Sequence, residues 1–197
     1  VARHTGSSAA HKPSGQAWAV LTGADGTRNT QQAVLHTSRI TYPTVGTILD
    51  LGHGVRLEVL HPGPTPLAGT HADDNNNGLV LRLTYGRAAF LLTGDLEMEG
   101  EAYLLAQEDL DLQSTVLKVS HHGAREATTL RFVDAVRPQI AVISVGAGNR
   151  FGHPSAEVLG RLEQVGAQVW RTDRCGDVEI VTDGESLWVR IGHHTDD

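Results

Sequence analysis

Cysteine is nearly missing. Cys175 stands alone among 197 residues, so no intrachain disulfide can form and no cysteine-built zinc site is available. Lysine is almost as scarce, with only Lys12 and Lys118. Basic side chains (16) fall short of acidic ones (23), which leaves a formal charge of −7. That balance argues against broad, sequence-independent affinity for nucleic acid. It does not exclude a metal-dependent nuclease, because bound cations set the local field. No apolar run approaches the roughly 18 residues of a membrane span, and no signal peptide is visible. A starting methionine is lacking too: the chain opens at Val1, as expected of a fragment or a processed product. What is present is ordinary for a globular chain, at 40% apolar residues, except for 11 histidines. At this length one domain with a sizeable core is the default.

The stretch 91–123 organises the rest. An apolar run, 88–92, stops at Thr93-Gly94-Asp95. A helical segment follows over 97–107, with Met98, Ala102, Leu105 and Ala106 on one face and acids outside. A second apolar run, 116–119, stops at Ser120-His121-His122-Gly123. Two buried strands thus deliver metal-grade ligands at their C-terminal tips, the edge where layered α/β folds collect chemistry. Asp95 is a hard oxygen donor able to bridge cations. His121 and His122 suit zinc, manganese or iron. Singly, each motif also reads as an ordinary turn; together they favour a site.

Taken in order, 1–16 is a small, polar lead-in holding His4 and His11. Short strands are expected at 17–21 and 38–42. Residues 47–60 read as a hairpin turning at Gly52-His53-Gly54, ended by the prolines after His61. The loop 69–78 (GTHADDNNNG) reads as an Asx-rich turn, with cation binding as the rival. A hairpin through Gly86-Arg87 joins 79–85 to 88–93. A short helix over 129–136 stops at Pro138. The continuous apolar strand 139–145 ends in a glycine-rich loop carrying Asn149, Arg150 and His153. Ser155 caps the helix 156–165, which Gly166 closes. His153, just before that helix, is a candidate general acid, phosphate contact or ligand, against a plain loop histidine. Asp173 and Arg174 read as a turn pair. Lys118, inside a strand, needs solvent, a carboxylate or a substrate phosphate for its charge. Three last strands cover 168–172, 177–182 and 186–191, and 193–197 is a tail. The pattern implies a mixed α/β sheet covered by helices.

Five segments carry a resemblance: Asp74-Asn75-Asn76-Asn77-Gly78 with the following strand, Leu91-Leu92-Thr93-Gly94-Asp95-Leu96-Glu97, Leu117-Lys118-Val119-Ser120-His121-His122-Gly123, Asn149-Arg150-Phe151-Gly152-His153-Pro154-Ser155 and Arg171-Thr172-Asp173-Arg174-Cys175-Gly176. In this order they resemble the metallo-β-lactamase-like domain of ComEC-type competence proteins, over about residues 46–191. The resemblance implies an αββα sandwich with a dinuclear zinc or manganese site. It makes Asp95 the bridging ligand and has the His121-His122 pair supply a later one. It also places His153 in the active site. It implies a nuclease that degrades the DNA strand not imported during natural transformation.

The family's H-x-H-x-D-H motif is absent, and Thr70-His71-Ala72-Asp73-Asp74 only imitates its opening. The sequence is therefore expected to be the C-terminal portion of that domain, with 17–192 as one partial domain and half the metal ligands missing. The leading reading is metal-dependent phosphodiester hydrolysis assisted by His153 and Lys118. Its rivals are an inactive binding or assembly domain and a hydrolase of small phosphoesters or lactams. Single-stranded DNA is the expected partner, and exposed sheet edges favour a homodimer. The segment is expected to make no membrane contact itself, within a bacterial membrane protein and outside the cytoplasm.

Overall fold

A computed structural model describes residues 43–192. The expected lead-in 1–16, the strands at 17–21 and 38–42, His4, His11 and the tail 193–197 lie outside the described residues. In chain order the elements are β1 (Ile48–Gly52), β2 (Val55–His61), α1 (Asp73–Asn76), β3 (Val80–Tyr85), β4 (Ala88–Leu92), α2 (Met98–Leu105), β5 (Val116–Lys118), α3 (Leu130–Val136), β6 (Ile140–Ile143), α4 (Ala156–Gln164), β7 (Gln168–Arg171), α5 (Thr172–Cys175), β8 (Val178–Thr182) and β9 (Leu187–Ile191).

Among the described residues, β1 to β7 form one sheet in sequential order. Strands β1 to β4 pair antiparallel, and β4 to β7 pair parallel. The first hairpin turns where three successive residues, Gly52, His53 and Gly54, take positive φ. Glycine at two of the three removes most of the steric penalty. The switch to parallel pairing at β4 forces crossovers, and α2, α3 and α4 supply them. The C-terminal tips of β4, β5 and β6 consequently end side by side.

The register sorts the two faces. Leu91, Leu117, Ala141 and Val169 lie in one row. They pack with Leu96, Leu104, Phe132, Val133, Val158 and Leu162 from the helical side, making the main core. On the opposite face, Leu49, Leu57, Leu83, Phe90, Val116 and Ile140 form a second apolar row. Val59, Leu81, Leu92, Lys118, Val142 and Trp170 form a third. Strands with two apolar faces read as continuous hydrophobic runs, as β6 does. The separate β8–β9 hairpin joins the β3–β4 turn through Arg87 N–H to Gly184 O, at 2.6 Å.

Two local expectations need correction, and a third gains detail. The Asx-rich turn at 69–78 is wound into one helical turn, α1. The Asp73 carboxylate accepts from Gly69 N and Thr70 N, while the buried Asn76 Oδ1 accepts from Glu97 N and Gly100 N. The core face of α2 is not Met98, Ala102, Leu105 and Ala106, with the acids outside. Gly100, Glu101 and Leu104 are buried, and Met98 is exposed. Asp73, Asn76 and Glu101 serve neighbouring backbone, which α2's own hydropathy pattern does not show. Asp173 pairs with Arg171, bidentate at 2.6 and 2.9 Å, instead of with Arg174. The planar guanidinium of Arg171 matches both carboxylate oxygens.

Candidate functional site

The strand tips are stitched together by hydrogen bonds. Thr93 Oγ1 donates to Lys118 O at 2.7 Å, joining the end of β4 to β5. His121 N–H donates to Gly94 O at 3.1 Å, and Ser120 Oγ donates to Leu96 O. The Thr93-Gly94-Asp95 and Ser120-His121-His122 motifs are therefore one backbone unit. His121 and His122 both lie in the left-handed region, at φ 45° and 55°. Non-glycine residues there are uncommon and cluster at functional sites. Farther along the edge, the His122 Nδ1 lies 2.6 Å from Ser144 O, so it carries the proton and donates. Thr172 Oγ1 ties the tip of β6 to β7 through Val145 N and O, each at 2.8 Å.

That Ser144 bond fixes a tautomer: with Nδ1 protonated, His122 Nε2 keeps its lone pair. Nε2 faces the Asp95 carboxylate across 3.9 Å. Zinc reaches nitrogen and oxygen ligands at about 2.0–2.2 Å, so one ion fits between these two donors. His121 turns another way. Its Nδ1 is 3.1 Å from Glu97 Oε1 without a hydrogen bond between them, and neither that nitrogen nor Glu97 Oε2 has a hydrogen-bond partner. Asn75 Nδ2 holds Glu97 Oε1 from behind, at 2.9 Å. The His121 ring sits 6.4 Å from that of His122 and 5.9 Å from that of His153. Among the described residues, no group of three His, Cys, Asp or Glu side chains converges as a metal cage. Asp95 and His122 are the pair whose facing donors could both touch one ion.

His153 arrives from β6 on a loop that clamps itself. Asn149 Nδ2 donates to His153 O at 2.7 Å, and His153 N–H donates to Asn149 Oδ1 at 3.0 Å. Ser155 then caps α4, its Oγ accepting from Val158 N. Burial lowers the His153 pKa below its usual 6.5, with the neighbouring His121 and His122 rings adding to this and Glu126 opposing it. His153 is thus neutral at pH 7. Lys118 sits at the end of β5 on the sheet face away from the helices. Burial lowers its pKa, while the Asp95 carboxylate opposes the shift. Its Nζ donates to Val119 O at 2.9 Å.

All five residues expected from the sequence thus lie at the tips of β4 to β6, with Asp95 and His122 face to face and His121 and His153 adjoining. Sequence reasoning missed the Ser144 carbonyl, which orients His122, and Glu97, which Asn75 holds beside His121. Glu97 follows Asp95 by two residues, but its charge pattern reads as a solvated helix face.

The chain has curated relatives. It is 38% identical to ComE operon protein 3 of Bacillus subtilis over 115 residues, which is 58% of this chain and 15% of that protein. It is 37% identical to competence protein ComA of Neisseria gonorrhoeae over 127 residues, 64% of this chain and 18% of that one. This chain is related to the ComEC-type competence proteins. Recombination protein 2 of Haemophilus influenzae matches at 34% over 110 residues, 54% of the chain and 13% of that protein. The chain spans under a fifth of the length of the ComEC-type relatives it matches. No protein-family model matches it. Among the described residues, no helix is long and apolar enough to cross a membrane.

Proposed function

We propose that this segment belongs to a DNA-uptake protein of the ComEC type and hydrolyses phosphodiesters of the strand that is not imported. The observation that carries the reading is the Asp95–His122 pair, 3.9 Å apart, with the free imidazole nitrogen aimed at the carboxylate by Ser144. The competence names of the relatives supply the substrate class, DNA. The sheet's second apolar face supports the metallo-β-lactamase-like sandwich, since it offers a second sheet a surface to pack on.

Asp95 and His122 would hold zinc or manganese, with His121 adjoining. When bound, such ions lower the pKa of water and stabilise charge on a phosphoryl oxygen. The chain's own groups then have defined tasks. Neutral His153 has a ring nitrogen able to take a proton from the attacking water. Lys118 holds its proton less tightly than an exposed lysine, which suits donation to the departing oxygen. Water adds to phosphorus, the phosphorus–oxygen bond to the leaving nucleotide breaks, and the proton ends on that oxygen. Ser144 holds the His122 imidazole in place, so little reorganisation of that ring is needed during reaction.

The test is manganese- or zinc-dependent cleavage of single-stranded DNA by the purified chain. Asp95→Ala is expected to abolish it, and His153→Ala to lower kcat about 100- to 10,000-fold. Equal cleavage by Asp95→Ala sinks the assignment. A second reading, a binding or assembly domain without hydrolysis, is favoured by the donor count of two among the described residues, where zinc usually takes four ligands. DNA bound without metal and left uncut would select it.

A further inference from the structure

We propose that Phe151 is a stacking platform for a nucleobase, so that the site takes single-stranded polynucleotide in preference to duplex. This rests on the hydrolytic reading for its purpose, though not for its geometry. Single exposed apolar side chains are common on protein surfaces and mean little alone. Phe151 differs in its setting. It is 69% exposed, the most open of the large apolar side chains in the described residues. Its ring lies nearly parallel to that of His153, at 5.8 Å and 17°. The Phe151 ring therefore stacks with a histidine already in the site and carries that stack to an open position.

Arg150 completes the arrangement. Its guanidinium carbon lies 5.2 Å from the Phe151 ring centre, and the residue is exposed. An arginine so placed can share the stack or swing onto a neighbouring phosphate, since its planar fork suits both. The loop beneath is preorganised. Asn149 Nδ2 binds Gly146 O and His153 O, and its Oδ1 accepts from His153 N. Gly148 and Gly152 take positive φ on either side of the tip. A rigid aromatic and an arginine beside a phosphodiester site form the pattern that grips single strands, whose bases have open π-faces. Duplex bases are already stacked on one another. The net charge of −7 makes such a non-ionic contact the more necessary for holding a polyanion.

Binding of a fluorescent single-stranded oligodeoxynucleotide, measured at low salt in chelator so that nothing is cut, tests this. Phe151→Ala is expected to weaken binding about 5- to 150-fold, the usual range for one base–aromatic stack, while Phe151→Trp retains it. An oligonucleotide of the same length built from abasic sites should bind the parent and Phe151→Ala alike. Equal affinity of parent and Phe151→Ala for the normal strand overturns the proposal. So does an equal loss on the abasic strand, or no binding by the parent at all. Asp95-dependent cleavage with binding indifferent to Phe151 leaves the hydrolytic reading standing and removes this one. Stacking without Asp95-dependent cleavage does the reverse.

Discussion

Glu97 and Glu101 lie one helical turn apart, and both are hidden from water, for different reasons. Glu97 lies beside His121 and is held by Asn75. Glu101 takes no part in the site. Its two oxygens accept from Thr128 N and Thr129 N, backbone donors just ahead of α3 that water does not reach freely. Burial raises the Glu101 pKa above its ordinary 4.5, with those hydrogen bonds and Arg161 opposing. The folded protein therefore holds this proton more tightly than the unfolded chain. Its contribution to stability is whole below pH 4.5 and is lost as pH rises through the raised folded value. Asp173 works the other way. Pairing with Arg171 lowers its pKa, so its contribution is present above 3.8 and is lost as pH falls. Glu101→Gln isolates the first effect. Relative to the parent, the variant's urea midpoint should improve between pH 4.5 and pH 7, because no charge is then buried. At the acid end it should be the weaker protein, since one amide donor faces a backbone N–H. A difference that stays constant with pH would show that Glu101 is already ionised in the fold.

At the scale of elements, Gly123 joins the tip of β5 to the start of α4. Its φ is +84°, and an added Cβ would lie 2.5 Å from Pro154 Cβ. Its carbonyl also accepts from Ser155 N at 2.9 Å. Gly123→Ala should cost the left-handed penalty of roughly 1–2 kcal/mol and a clash besides, displacing Pro154 and with it His153. Ser155→Ala removes only the α4 cap, at about 1 kcal/mol. Chemical denaturation should rank the glycine variant as the less stable; the reverse order would mean that the cap, not the junction, holds this corner. The strand tips were legible because each parallel strand is a short apolar run broken by Gly, Asp or His. Both hairpins were legible from glycine at their turns, and the α4 cap from Ser155. The buried face of α2 was not, because Glu101 is buried for the sake of α3. The turn at 69–78 was legible from its Asx residues, but the burial of Asn76 was not, because its side chain serves α2's N-terminus. Those are tertiary debts, and local periodicity carries no trace of them.

At the scale of the molecule, the shape of the sheet and the number of donors point the same way. The helical face is closed by a core of side chains from α2, α3 and α4. The opposite face carries two further apolar rows, with Lys118 the one charged residue among the residues named there. Two metal donors face each other at the tips, and the chain corresponds to 15% and 18% of its first two relatives. An ion held by two ligands fills half a tetrahedral shell and exchanges with water and chelators. The 197-residue chain, dialysed and examined by elemental analysis beside Asp95→Ala, should hold well under one equivalent of zinc or manganese. Near-stoichiometric metal that disappears in Asp95→Ala would overturn this. It would mean that residues outside 43–192, or a second copy of the chain, complete the shell. Sedimentation with and without metal then separates the two, because only the second makes the mass of the particle depend on the ion.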